Sequence, residues 1–439
     1  MENGGGREGA FRAIRRDRTL RGILALALLL RLVYAFVVFP VIGENLHWKG
    51  VDDGYDEVAR HLIHGHGFVD RPGDAPNLVK PPGYVFFLAG LYTVFGEEVN
   101  EGVRVRIAQP LLDTGTCLLV FLLGLRVFGD RRIGLIGAFL WAVYPQMIVY
   151  GARVAPESLF ILLLTALMFV LARLRAEGRA RDAVYAGVLF ALALLVKEKL
   201  ILFPAVLLFL LLRAPAVTLR RRLALAALLA AAALTVTGPW LVRGYRTAGT
   251  FVPITLRSGR ALNQGMDESF AGADETLVDF FENRPSGRWR DLPESERERL
   301  DRARENARDE NSLIGKAMSR IARDPVSFLR SFVIKLGSFW YFGQPKVIAG
   351  NLAVQMPLLG LAIAGFLRER RRRDLAPFAL LVAYFLVIHA LTIVRMRYSL
   401  PVMPEVILLA GSTLLALRER FLPPPLDGAA NSTGHEERA

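Results

Sequence analysis

The chain has 439 residues, of which 53% are hydrophobic, and its formal net charge is +14. Its apolar residues gather in runs of about 20, long enough to cross a bilayer, which excludes a soluble globular protein. Membrane proteins collect basic residues in their cytoplasmic loops, so we expect the lipid bilayer and no nucleic acid as a partner. The single cysteine, Cys117, lies within an apolar run, which excludes a disulfide and a cysteine metal site.

Ten apolar runs predict an all-α polytopic membrane protein, because lipid leaves the backbone groups of an open segment unsatisfied. We expect spans at residues 20–42, 104–127, 132–149, 155–174, 183–197, 199–213, 221–243, 350–367, 375–393 and 400–418. The apolar segments 83–96 and 325–343 are expected to lie on the outer face as interfacial or re-entrant helices. A crossing at 83–96 would move the next three basic clusters to the outer side.

Five basic clusters give the expected sidedness, because short cytoplasmic loops carry an excess of lysine and arginine. They are Arg12–Arg21, Arg126–Arg132, Arg173–Arg181, Arg213–Arg222 and Arg368–Arg373. The chain is then a multi-pass protein of the cell (plasma) membrane with an uncleaved first helix and both termini in the cytoplasm. Its expected parts are a basic tail at 1–19, a transmembrane domain at 20–420 with outer loops at 43–103 and 244–349, and a disordered tail at 421–439.

The first outer loop contains two adjacent carboxylates, Asp52 and Asp53, just before an amphipathic pattern. Tyr55, Val58, Ala59 and Leu62 fall on one face of a short predicted helix. Carboxylates are favoured at the amino end of a helix. One of the two aspartates is expected to cap this helix, and the other is then available as a general base.

Polar and ionisable residues are unusually frequent where the spans meet the outer surface. Charges at membrane depth are costly and often mark a site, although snorkelling or pairing of Lys197 or Lys199 with Glu157 or Glu198 would also explain them. As a set next to carboxylates, the cations suit an anionic lipid headgroup. The candidate substrate-binding residues are Tyr55, Lys80, Tyr84, Arg153, Glu157, Lys197, Glu198, Lys199, Arg243, Arg246, Arg397 and Tyr398.

Three histidines, His61, His64 and His66, have a spacing that a metal site can use, but a polar helix face is the commoner arrangement. We therefore expect no cofactor, and a divalent metal is the alternative that the sequence leaves open. In the second outer loop, residues 293–324 predict a charged surface helix. Its apolar positions are Leu300, Ala303, Ala307, Leu313, Ala317 and Ile321.

Several loose motifs in a consistent order resemble the GT-C class of integral-membrane glycosyltransferases, in the branch of the protein O-mannosyltransferases and the lipid A aminoarabinose transferase. They are DDGYDEVARHLIHGHGF with KPPGYVFFLAGLYTVFG, LRVFGDRRIGLIGAFLWAVYPQMIVYGARVAPESLF, LLVKEKLILFP, GPWLVRGYRTAGTFVPITLRSGRALNQG and RMRYSLPVMPEVILLAG. The resemblance covers roughly residues 20–420 and implies a GT-C-like bundle. Many relatives carry an Asp-Glu pair, or an aspartate further from the tyrosine, where this chain has Asp52-Asp53 before Tyr55. They often carry an arginine where it has Lys197-Glu198-Lys199.

The resemblance implies a glycosyltransferase that moves a hexosyl or pentosyl unit from a polyprenyl-phosphate donor to a protein, lipid or glycan acceptor on the extracytoplasmic side. Asp52 or Asp53 would be the catalytic base, and the reaction would invert the sugar. Lys197 or Lys199 would hold the donor phosphate, with Arg243, Arg246 and Arg397 as further candidates. Three alternatives remain: a transporter for a lipid or anionic solute, a non-catalytic membrane protein on the same fold, and a relative that transfers a preassembled glycan.

Overall fold

The computed structural model describes residues 17–41, 54–97, 103–214, 217–256, 258–265, 308, 312–343 and 345–421. Within these ranges the chain is helical with no strands, which confirms the predicted all-α membrane fold. Six of the described helices are long and apolar enough to cross a membrane. They are Arg18–Val41, Val103–Phe128, Glu157–Glu177, Leu219–Ala248, Val347–Glu369 and Met396–Phe421.

The described helices are numbered here in chain order. They are α1 Arg18–Val33, which continues through a π-helical turn at Tyr34–Val38, α2 Tyr55–Ile63, α3 Pro82–Phe95, α4 Val103–Phe128, α5 Arg131–Ala142, α6 Pro145–Tyr150, α7 Glu157–Glu177, α8 Ala180–Val196, α9 Phe203–Leu212, α10 Leu219–Ala248, α11 Ser258–Gly265, α12 at 312–323, α13 Pro325–Ser338, α14 Pro345–Glu369, α15 Ala376–Leu391 and α16 Met403–Phe421.

The five basic clusters meet at one end of the helix bundle, which we call the basic end. Arg131 pairs with Asp17 at 2.7 Å, and Arg126 pairs with Glu177 at 3.0 Å. Five further contacts, named by their donors and acceptors, join the remaining clusters. They are Arg132 with Glu419, Arg372 with the Phe128 carbonyl, Arg221 with the Gly178 carbonyl, Arg222 with the Leu212 carbonyl and Arg368 with the Ser412 carbonyl.

The opposite end of the bundle, which we call the site end, holds the first outer loop and the starts of α4, α7 and α16. The described chain runs between the two ends ten times, as α1, α4, α5 with α6, and then α7, α8, α9, α10, α14, α15 and α16. Helix α3 does not join the two ends. Its first turn packs against Val196 at the end of α8, and Gly96 beyond its last residue lies beside Arg104 at the start of α4.

Two predicted spans differ from the observed helices. The span predicted at 132–149 is broken after Ala142, and Pro145 begins the short helix α6, because proline favours the first turn of a helix. The span predicted at 199–213 begins as a helix only at Phe203, since Glu198–Leu200 forms a 3₁₀ turn. With ten residues, α9 is only about 15 Å long, whereas α8 has seventeen residues. Residues 197–202 connect the two helices.

The central helix of the core is α16, which is buried along most of its length. In the second outer loop, residues 312–323 form part of the predicted surface helix, with Ala317 buried and Leu313 and Ile321 half-buried. Leu300, Ala303 and Ala307 of that prediction lie outside the described residues. The helix α13 follows at once and ends beside the carboxyl end of α15, where Phe339 packs against His389.

Candidate active site

The first outer loop is anchored by Lys80, whose ammonium group is almost completely buried. It donates to the Gly54 carbonyl at 2.7 Å and to Asp70 Oδ1 at 2.8 Å. The Asn77 side chain fixes the preceding turn by accepting from the backbone N–H groups of Val79 and Lys80. Lys80 therefore holds the start of α2 against the corner that leads into α3.

The predicted helix after the two aspartates is confirmed, but its cap differs from the prediction. Tyr55, Val58 and Ala59 are buried along α2, as the periodicity indicated. The N-cap position belongs to Gly54, in a left-handed conformation with φ at 69° and no capping side chain. Glycine adopts this backbone conformation without strain, and Lys80 contacts its carbonyl. Asp52 and Asp53 themselves lie outside the described residues.

Tyr55 and Tyr84 connect this loop to the bundle. Their rings meet edge to face with centroids 5.3 Å apart, and both side chains are buried. The buried Gln109 on α4 donates from Nε2 to the Tyr84 hydroxyl at 3.3 Å and to the Arg153 carbonyl at 2.5 Å. The two tyrosines thus lie between the start of α2 and the segment that carries Arg153.

A buried ion pair lies next to this contact. Lys197 Nζ is 2.9 Å from Glu157 Oε1, and the Glu157 side chain is only 1% exposed. The side chain of Lys197 also lies over the ring of Phe160. A Cβ atom on Gly83 would come within 2.8 Å of the backbone at Leu195 and Val196, so the Lys80–Tyr84 corner packs directly against the residues before Lys197.

Three cations from two separate segments converge on His389. Lys197 and Lys199 follow α8, Arg397 precedes α16, and all three lie within electrostatic reach of that buried histidine. The ring of Tyr398 stacks on His389 at 4.3 Å, and Arg397 lies over Tyr398 at 5.3 Å. Lys199 is 3.7 Å from Glu198, and its backbone carbonyl accepts a hydrogen bond from Tyr384 at 2.6 Å.

Tyr150 joins a second set of charges to the first. It is within electrostatic reach of Arg153, Glu157, Arg395 and Arg397. Arg153 also stacks on its ring at 5.2 Å. The sequence analysis did not place Tyr150 or His389 at the site, although an ionisable residue inside a span, such as His389, is itself a signal.

Two predicted cations lie further along α10. Arg243 donates to the Asn77 carbonyl at 3.2 Å and stacks on Trp240 at 4.4 Å, so it joins α10 to the first loop. Arg246 is exposed on the same helix. The contacts of Arg243 are with the first loop and with α10, so they do not place it beside His389.

A buried cluster behind the site was also missed from the sequence. Arg31 and Asp113 face each other with Nε and Oδ2 3.6 Å apart, and both side chains are fully buried. Ser158, next to Glu157, donates to the same Asp113 oxygen at 3.2 Å. Positions 31 and 113 lie inside predicted spans. A charged residue within a span is a candidate for a functional site, so the sequence contains a signal for both residues.

The three histidines form contacts of their own. His64 Nε2 lies 2.6 Å from Glu97, and His61 Nδ1 lies 3.3 Å from the Val69 carbonyl. The ring of His66 meets that of His61 edge to face, with centroids 6.2 Å apart. The described residues contain no group of three or more histidine, cysteine or acidic side chains able to hold a metal ion.

The arrangement suits a phosphate ester. Lysine and arginine side chains bind phosphate through charge-assisted hydrogen bonds, and aromatic walls keep water away and strengthen the electrostatic interaction. The described site end supplies three such cations around His389 and two more arginines around Tyr150.

Residues 79–242 match the family model described as dolichyl-phosphate-mannose-protein mannosyltransferase. A search of the curated proteins found no significant match. The matched residues include Lys80, Arg153, Glu157 and Lys197 of the site end.

Among solved structures, the Archaeoglobus fulgidus oligosaccharyltransferase shares the fold. Its apo form aligns with a TM-score of 0.54 and 16% identity, covering 92% of this chain and 51% of that protein. Its complex with Zn and sulfate aligns with a TM-score of 0.52 and 14% identity, covering 91% and 49%. The chain therefore spans about half the length of that protein. ArnT from Cupriavidus metallidurans bound to undecaprenyl phosphate aligns at 17% identity over 83% and 73% of the two chains, with a TM-score of 0.39 that carries no argument about the fold.

Proposed function

We propose that the chain is a membrane glycosyltransferase of the GT-C class, which transfers a sugar from a polyprenyl-phosphate donor to an acceptor at its site end. The observation that carries this proposal is the convergence of Lys197, Lys199 and Arg397 on one buried histidine. The family whose model matches residues 79–242 is named for a dolichyl-phosphate sugar donor, which is a lipid of this chemical class.

The donor phosphate binds between the end of α8 and the start of α16. Lys197 and Lys199 follow α8, Arg397 precedes α16, and all three interact electrostatically with His389. Glu157, which pairs with Lys197 at 2.9 Å, holds that ammonium group in place when no donor is bound. Arg153 and Arg395, around Tyr150, are further cations of the site end.

The base is Asp52 or Asp53. Gly54, which follows Asp53 directly, is held through its carbonyl by Lys80. The Lys80–Tyr84 corner packs against the residues that precede Lys197. Consecutive Cα atoms are about 3.8 Å apart, so this anchor limits how far Asp53 can be from the cations.

The transfer needs one base and no general acid. The aspartate accepts the proton of the acceptor nucleophile, whose oxygen forms a new bond to the anomeric carbon. The bond between that carbon and the phosphate oxygen breaks, and its electrons leave with polyprenyl phosphate, which the lysine and arginine side chains stabilise as an anion. A single displacement inverts the configuration at the anomeric carbon.

The site end faces the extracytoplasmic side. The basic end gathers all five arginine-rich clusters, and such clusters favour the cytoplasm. A reporter fused after Gly102, between α3 and α4, is therefore expected on the outer side. A cytoplasmic reporter at that position would overturn this orientation.

The direct test uses the purified full chain in lipid nanodiscs with a panel of radiolabelled polyprenyl-phosphate sugars and membrane extracts as acceptors. We expect release of polyprenyl phosphate that depends on an acceptor, and a product of opposite anomeric configuration. Failure to consume any donor in the panel would contradict the proposal, and so would a product that retains the anomeric configuration of the donor. An Arg181→Ala variant, changed at an exposed arginine of the basic end, provides the control for loss of charge alone.

A further inference from the structure

The buried charges Arg31 and Asp113 lie one layer behind the candidate site. Arg31 on α1 is 1% exposed and Asp113 on α4 is 0% exposed. A buried ion pair is costly unless further hydrogen bonds complete it, so a pair retained inside a membrane helix bundle indicates a function beyond stability.

Arg31 holds the end of α5. Its Nη1 donates to the Ala142 carbonyl at 3.0 Å, and its Nη2 donates to the Trp141 carbonyl at 3.1 Å. These are the last two carbonyls of α5 before the break at Val143 and Tyr144, where the regular hydrogen bonds of the helix stop. The Trp141 carbonyl also accepts from the backbone N–H of Tyr144 at 3.3 Å. Arg31 therefore fixes the point at which the chain leaves α5.

Asp113 holds the start of α7. Its Oδ2 accepts from Ser158 Oγ at 3.2 Å, and Ser158 is the second residue of that helix. The backbone is close as well, since a Cβ atom added to Gly151 would lie 2.7 Å from the same oxygen. Asp113 thus contacts both the beginning of α7 and the segment that leads into it.

The two contacts enclose one segment of the chain. Residues 143–156 begin where Arg31 holds α5 and end where Asp113 holds α7, and they carry Tyr150 and Arg153. Glu157, the partner of Lys197, follows immediately. The Arg31–Asp113 pair joins the two holding contacts, with Nε and Oδ2 3.6 Å apart.

We propose that Arg31 and Asp113 are positioning residues that clasp both ends of segment 143–156 and so align Arg153 and the Glu157–Lys197 pair for the donor phosphate. This inference rests on the proposed function for its catalytic consequence. Its structural consequence, an ordered segment 143–156, stands apart from the reaction.

The kinetic test separates positioning from folding. Asp113→Asn keeps the shape of the side chain and removes its charge, and Ser158→Ala removes only the hydroxyl contact. We expect the KM for the polyprenyl-phosphate sugar to rise between about ten-fold and 100-fold in Asp113→Asn, and less in Ser158→Ala, with an unchanged KM for the acceptor. A variant that merely lost folded protein would lower the apparent kcat and leave both KM values unchanged.

The matched control is Asp182→Asn at the basic end. Asp182 is fully buried and paired with Arg173 at 2.6 Å, but it lies far from segment 143–156. This variant is expected to lose thermal stability without a change in donor KM. Arg31→Lys, which keeps the charge beside Asp113, should recover part of the donor affinity that Arg31→Met loses.

A second measurement needs no activity. In a Cys117→Ser background the chain has no other cysteine, so Val154→Cys accepts one spin label. We expect the label to be more mobile when Asp113→Asn is added and unchanged when Asp182→Asn is added. Unchanged mobility together with an unchanged donor KM would overturn the clasp. If the label becomes more mobile with Asp113→Asn but the natural chain transfers no sugar, the clasp is supported and the proposed reaction is wrong.

Discussion

The two ends of the bundle both carry many cations but use them differently. At the basic end, several arginines donate to carbonyls near helix ends, as Arg175 does to Leu210 at 2.6 Å and Arg222 to Leu212 at 2.6 Å. Others, such as Arg173 with Asp182, pair with carboxylates. Such contacts satisfy carbonyls that a helix end leaves without an intrahelical partner. At the site end, Lys197 pairs with a buried carboxylate, and Arg397 lies over an aromatic ring.

The acceptor of each cation therefore indicates its role better than the number of cations does. A guanidinium that donates to backbone carbonyls cannot leave them without breaking the end of a helix. An ammonium group paired with one carboxylate can take a phosphate oxygen as an additional ligand. The predictions below remove charges from one end and compare the outcome with the other.

The largest effect is expected at the first outer loop. Asp52→Asn or Asp53→Asn, whichever removes the base, should lower sugar transfer by about 100-fold to 10,000-fold while donor binding persists. Steady-state transfer rates and a separate donor-binding assay measure the two quantities. Asp56→Asn is the control, because that carboxylate already pairs with Arg60 at 2.8 Å and accepts from Tyr92. Normal turnover in both single variants and in the double variant would show that no first-loop aspartate is the base.

The next effect is expected for the phosphate cations. Lys197→Met combined with Glu157→Gln, which avoids a buried unpaired carboxylate, should weaken donor binding by about ten-fold to 100-fold. Arg222→Met at the basic end should leave donor binding unchanged and lower the midpoint of thermal unfolding. Donor titration in nanodiscs measures the first effect. If the Lys197→Met, Glu157→Gln double variant binds the donor as tightly as Arg222→Met does, Lys197 pairs with Glu157 and does not bind the donor phosphate.

The sequence predicted the helices well where periodicity or apolar length decides them. The face formed by Tyr55, Val58 and Ala59 is buried as expected, and the described residues are helical through most of the predicted spans. What the sequence could not predict depends on distant partners. The cap at Gly54 follows from Lys80, 26 residues further along, and the break after Ala142 is held by Arg31.

The same limit applies to the candidate site. The contact of Lys197 with Glu157 was among the pairings that the sequence allowed, and the structure contains it. The pairing of Arg31 with Asp113 was not foreseen, although each residue is conspicuous as a charge within a span. Neighbouring positions reveal which residues are unusual, whereas the partner of an unusual residue depends on the packing of helices far apart in the chain.

Lys335 is one of the site-end cations that donate to backbone carbonyls, in its case those of Gly265 and Thr392. Unlike arginine, it can lose its proton, and burial lowers its pKa to about 8. The unfolded chain holds this proton up to a pKa of about 10.4, so between these values the unfolded state binds more protons and stability rises with pH. We expect the free energy of unfolding to gain at most about 1.4 kcal/mol per pH unit from this group.

Thermal unfolding in detergent at pH 7.5, 8.5 and 9.5 measures this gain. The free energy of unfolding of Lys335→Met is subtracted from that of the natural chain, which removes the contribution of the other titrating groups. Lys316→Met on α12, an exposed lysine of the same loop, is the control. A difference that stays constant over this pH range would mean that Lys335 keeps its ordinary pKa.

The smallest effect is expected at the surface of the first outer loop, where His64 and Glu97 are 2.6 Å apart with side chains 54% and 31% exposed. The hydrogen bond from His64 lowers the pKa of Glu97, so the pair contributes stability above the usual glutamate pKa of about 4.3 and loses it as the pH falls further. Glu97→Gln should cost at most about 1 kcal/mol at pH 7.5 and less in high salt, because exposed pairs are screened. Thermal unfolding at two salt concentrations measures this cost. If Glu97→Gln lowers the free energy of unfolding as much as breaking the buried Lys197–Glu157 pair does, solvent exposure does not explain the difference between the surface pairs and the pair at the site.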